Sequence, residues 1–311
     1  MTLIDRERII KAKEVICETI LLQVKSGAQS EKFENALACG QFLKVPEKQQ
    51  HGFHGTTAAI RILAGFAETY NDELRKLITY FEEIVNLKGE VITNDGLSMD
   101  KINIIKNAEL LYTLSYIHSG TKNTEELKKS IYDNLIKAKN RDGGWAFFMG
   151  ENDDSDVYST SLVYLAFKKH NYNNLSNTLT FIKDNLKKYL KENIPDPTTF
   201  SKLCFTVYSL VKLDFHKTDK DIKKLLAEVN KKLWKSEYCV LNNDYEQNIE
   251  YPSKERHFYV RIPWQLYLIS VANELSPRYF AKKLSISRLN SPIVSILDNE
   301  GGYATKSWTI S

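Results

Sequence analysis

Apolar residues recur at i, i+3, i+4 and i+7 over residues 6–25, 71–87, 100–118, 124–139, 175–191, 217–234 and 277–284. That spacing lays an apolar stripe along each segment, so all seven are expected to be helices. No run alternates with period two, the pattern of a half-buried strand, and the expected fold class is all-α with strands at most incidental. A second kind of segment is shorter and apolar on most faces. Residues 56–67, 156–167, 200–213 and 264–272 mix small and aromatic side chains in this way. A helix apolar all round has to be buried. The chain thus predicts lysine-rich amphipathic helices with one wet face, such as 124–139 and 174–191, alternating with enclosed ones.

Between helices the same punctuation returns: His51-Gly52-Phe53-His54, Asn94-Asp95-Gly96-Leu97, Asp142-Gly143-Gly144-Trp145 and Glu300-Gly301-Gly302-Tyr303. Successive glycines lie 44, 47 and 158 residues apart, the last close to three further steps. A period of this size holds one helical hairpin. Enclosed helices then begin near Gly55, Met99, Asp156, Thr198, Pro263 and Ala304. Setting them inside and the amphipathic ones outside gives two concentric rings, an α/α toroid of about six hairpins in a single domain, 1–311. The sixth inner helix is expected to be truncated. Either the ring closes incompletely and leaves its cavity open, or the C-terminal tail is expected to tuck inside and fill it.

Composition narrows the function classes. With 43 basic and 39 acidic residues the net charge is only +4, spread along the chain, which excludes nucleic acid as the expected partner. No apolar run approaches the ~20 residues of a membrane span. The first eight residues mix acids and bases, unlike a secretory signal. The expected location is cytoplasmic. Cys17, Cys39, Cys204 and Cys239 are far apart and form no C-x-x-C pair, so reduced thiols are expected rather than a disulfide framework or a zinc ribbon.

Arg141-Asp142-Gly143-Gly144-Trp145-Ala146-Phe147, followed by the helix opening at Asp156-Val157-Tyr158-Ser159-Thr160-Ser161, resembles the repeat of the terpenoid cyclase and protein prenyltransferase superfamily. Glu300-Gly301-Gly302-Tyr303 looks like a second copy of the turn, and the similarity in hairpin layout covers most of the chain. The resemblance implies the toroid, and an isoprenoid or other apolar substrate in its cavity. Class II cyclases of that superfamily carry D-x-D-D-T-A, whose central Asp protonates an alkene or epoxide. Here Asp156 and Thr160 match, but Tyr158 stands at the donor position. A phenol, with a reference pKa near ~10, is too weak an acid for that step. The catalytic candidates are therefore Asp154 and Asp156 beside Tyr158. The zinc site of the prenyltransferases lacks both its Cys and its His in this segment, so zinc is not expected.

Other groups suit an anionic or apolar ligand. Asp153, Asp154 and Asp156 offer the oxygen ligands Mg2+ prefers, and with it a grip on a diphosphate. The same acids also suit the capping of a helix start. Trp145, Tyr164, Tyr208 and Trp264 offer aromatic faces to a substrate. Lys254, Arg256, His257 and Arg261 put four basic side chains within eight residues, a binding patch for phosphate. Two other functions use the same frame. A toroid with a degenerate acid motif can serve as a catalytically silent scaffold for a protein or peptide. A carbohydrate-active toroid would use two of Asp100, Asp154 and Asp156 as acid and base.

Overall fold

The computed structural model describes residues 53–84, 103–117, 121–147, 154–173, 175 and 177–238, with shorter stretches at 14, 17–18, 20–21, 249–250, 256–257, 267–268, 271 and 274–275. These residues are mostly helical. The chain divides into two compact units. One comprises Met1–Glu83, Leu241–Ile262 and Ala281–Ser311, the other Ile84–Val240 and Pro263–Phe280.

In the first unit, α1 (Phe53–Leu63) ends in a 3-10 turn at Ala64–Phe66, and α2 (Asn71–Ile84) follows. Small residues let α1 be enclosed, with Thr56, Thr57, Ala58, Ala59 and Ile60 all buried. Amphipathic α2 buries Leu74, Leu77 and Phe81, and Phe81 meets Phe53 edge-to-face at 5.4 Å. Asp72 and Glu73 in its first turn favour the helix dipole. Among the described residues the strand content is a two-residue antiparallel pairing of β1 (Ile249–Glu250) with β2 (Arg256–His257).

The second unit holds α3 (Ile104–Leu114), α4 (Lys122–Lys137), α5 (Val157–Lys169), α6 (Thr178–Lys191), α7 (Pro197–Lys212), the short α8 (Phe215–Thr218) and α9 (Lys220–Leu233). Side chains define their starts. Asn103, Asp156, Asp196 and Asp219 each accept N–H groups of the first turn, and Thr121 forms a capping box with Thr124. Pro197 opens α7, where its missing N–H costs nothing. The expected helix 217–234 is split by one of these caps. Asp214 stands in the left-handed region at φ 60°, and Asp219 accepts from the N–H groups of Asp221 and Ile222, so α9 begins afresh.

Enclosed α3, α5 and α7 pack side by side in that order. Against them lie the amphipathic helices, α4 on α3, α6 on α5, and α9 on both α7 and α6. Burial follows the expected division. In α5 every residue from Ser159 to Phe167 is buried, whereas α9 buries Ile222, Leu226, Val229, Asn230 and Leu233 along one stripe. Small hydroxyl residues let α5 approach α7, and the Ser161 Oγ lies 2.7 Å from the Val157 carbonyl and 3.1 Å from Thr206 Oγ1 across the interface. Among the described residues no helix is long and apolar enough to cross a membrane.

Candidate functional site

The turn 140–145 organises the approach to α5. Gly143 has φ +93°, a conformation that suits glycine, and a Cβ there would lie 2.7 Å from the Asn177 backbone. A Cβ on Gly144 would meet Ser155 at 2.6 Å. Asp142 Oδ1 accepts from the Gly144 N–H and the Ser155 hydroxyl, and the Thr178 hydroxyl donates to the Gly143 carbonyl. The Trp145 N–H donates to Thr160 Oγ1, while the Asp156 N–H donates to the Trp145 carbonyl at 2.8 Å. One turn therefore joins the starts of α5 and α6. The residues that bear the family resemblance act here as a structural junction.

Trp145 is fully enclosed. Its indole Nε1–H donates to the Leu135 carbonyl at 2.6 Å and its ring packs edge-on against Phe167. Tyr164 is also buried, stacked on Phe215 at 5.8 Å, and loss of solvent pushes its phenol up to about 12. Both stand among packed core residues, not on the open aromatic wall expected for them.

Asp156 is the N-cap of α5. Its Oδ1 accepts from the N–H groups of Tyr158 and Ser159 at 3.0 Å each and from the Ser159 hydroxyl at 3.3 Å. Its Oδ2 faces the Lys202 ammonium of α7 at 2.5 Å. The pair is largely shielded, with side-chain exposures of 14% for Asp156 and 24% for Lys202. Both oxygens are engaged as acceptors, one by the start of α5 and the other by Lys202. Asp154 is exposed, and neither acid belongs to a three-residue metal-ligating set among the described residues. Asp153, the third expected Mg2+ ligand, lies outside the described residues, as do Asp100, Arg261 and Trp264. Arg256 and His257 form β2 in the other unit.

Four aromatic rings do come together. Tyr158 of α5 lies 4.8 Å from Phe205 of α7, Tyr208 lies 4.5 Å from Tyr267, and Phe205 is 5.5 Å from Tyr267 in an edge contact. Phe205 is buried, and the three tyrosines are half-buried. The spacing of Lys202, Phe205 and Tyr208 by three residues sets them along one side of α7. Lys202 Nζ, at the Asp156 end, also sits 4.8 Å from the centre of the Phe147 ring, which is 37% exposed. At the other end Lys212 Nζ lies 6.0 Å from the Tyr208 ring.

The sequence pattern did not single out Lys202. A lone lysine within the enclosed segment 200–213 was the available signal, since a cation there needs a partner. Compared with protein-family models, curated proteins and solved structures, the chain matches none.

Proposed function

We propose that this chain is an α/α toroid that binds an elongated apolar ligand of the isoprenoid class along the aromatic side of α7. The observation that carries the reading is the half-buried cluster of Tyr158, Phe205, Tyr208 and Tyr267, with a lysine near each end. Flat, rigid rings offer large apolar contact with few rotamers to immobilise. The alternation of enclosed and amphipathic helices supports the toroid, because the row α3, α5, α7 and its outer partners have the layout of consecutive inner and outer hairpins.

The reading is of binding, without proton-initiated cyclisation. Asp156 caps a helix and pairs with Lys202, and the phenol of Tyr158 is too weak an acid to replace it. A ligand with an anionic head has Lys202 near it, although Asp156 already neutralises that charge. The same pairing favours the silent-scaffold alternative, in which the aromatic side receives the apolar side chains of a peptide.

Calorimetric melting with farnesol, geranylgeraniol and farnesyl diphosphate, each with and without Mg2+, tests the proposal. Farnesol and geranylgeraniol are expected to raise Tm with concentration, as any ligand of the native state must. Phe205→Leu and Tyr208→Ala should each abolish most of that rise while leaving a cooperative transition. Mg2+ is expected to add nothing. Absence of a shift with every isoprenoid would overturn the reading and leave the peptide scaffold. A Mg2+-dependent gain confined to the diphosphate would restore the acidic run 153–156 as the site.

A further inference from the structure

Away from the aromatic cluster, three side chains of metal-ligating type converge in the second unit. Asp214 precedes α8, His216 lies within it, and Glu274 is helical, as are Tyr267, Leu268, Val271 and Leu275. One ligand atom from each lies within 4.8 Å of the others. His216 is 5% exposed, and its Nε2 meets Glu274 Oε2 at 2.8 Å. Its other ring nitrogen, Nδ1, is enclosed and has no hydrogen-bond partner.

We propose that Asp214, His216 and Glu274 bind a divalent transition-metal ion of the zinc type. One imidazole and two carboxylates match its preference for nitrogen and oxygen donors at about 2.0–2.2 Å, with solvent completing the shell. The carboxylates are exposed, so their rotamers can turn inward by the ångström or so that coordination requires, while the enclosed histidine supplies a fixed anchor. Charge supports the assignment. Two acids meet here, and Lys217 Nζ lies 2.7 Å from Asp214 Oδ1. Lys217 is the competitor that a metal ion displaces. The site ties α8 to Glu274, seven residues after Tyr267 of the aromatic cluster.

Titration of the full-length chain with Co2+, followed through its visible d–d absorption, and with Zn2+ by calorimetry tests the site. One equivalent is expected to bind. Asp214→Asn and Glu274→Gln, both at exposed positions, should each weaken binding by roughly ten-fold or more. Lys217→Met is expected to tighten it, an outcome that a purely structural role for these residues does not produce. Circular dichroism melting of each apo variant checks that the fold is retained. The proposal is overturned if no saturable Co2+ or Zn2+ binding appears below millimolar metal. It is equally overturned if one equivalent binds but the affinity ignores both carboxylate substitutions, since the ion then sits elsewhere.

Discussion

Tyr164 shows how burial at one residue becomes a property of the folded state. With its ring stacked on Phe215 and only 3% of its surface exposed, its phenol is pushed from 10.0 to about 12 by desolvation. The folded protein holds that proton more tightly than the unfolded chain does. The contribution is therefore complete below about pH 10 and is lost as pH rises towards 12. Between those limits the wild type is expected to lose stability more steeply than Tyr164→Phe, by up to about 1.4 kcal/mol per pH unit. Urea midpoints measured at pH 9, 10 and 11 on both proteins test this, and equal slopes would refute it. Asp156 makes the opposite point about reading residues. Acids before an apolar helix suit capping and chemistry alike, and local sequence does not separate them. The deciding partner, Lys202, stands 46 residues away.

At the scale of elements, the turn 140–145 makes a sharp prediction because three starts depend on it. The Phe147 carbonyl, two residues beyond, also accepts from the Ile104 N–H at 3.0 Å, which brings α3 into the same junction. Gly143→Ala has to accept both a disfavoured φ and a clash with the Asn177 backbone, and is expected to destabilise by about 1–3 kcal/mol. Gly65→Ala is the natural control. A Cβ there meets nothing within 4 Å, so the substitution should be neutral or stabilise by up to ~1 kcal/mol through the unfolded chain. Denaturant unfolding of both variants decides, and a similar cost at the two positions would contradict the account. The elements themselves were largely legible, since amphipathic period and caps act within a few residues. Thus 124–139, 175–191 and 71–87 are observed as Lys122–Lys137, Thr178–Lys191 and Asn71–Ile84. Less legible was the break before α9. It depends on Asp219 bonding to backbone rather than lying on a continuous helix face. The aromatic cluster was visible only as a list of rings. Which of them are walled into the core, as Trp145 is, and which remain half-open, as Tyr208 does, follows from tertiary packing.

Over the whole molecule, the chain passes between its two units four times, leaving the first after residue 83, returning at 241, leaving again at 263 and returning at 281. No single cut frees either unit intact. Cys17 in the first and Cys204 in the second are both buried, and each can be modified only when its surroundings open. Peptide-resolved thiol labelling in rising urea is expected to expose the two together, as linked units unfold cooperatively. Earlier labelling of Cys17 would show instead that the first unit opens alone. The pairing of His216 with Glu274 has a further consequence in time. Fifty-eight residues separate them, so at about 5–20 residues per second a ribosome takes roughly 3–12 s to pass from one to the other. Throughout that interval the imidazole lacks its Glu274 partner, and Phe205 and Tyr208 lack the neighbouring ring of Tyr267. A nascent chain paused there is expected to offer an aromatic surface to chaperones, so slower translation across residues 216–274 is expected to lower the yield of native protein.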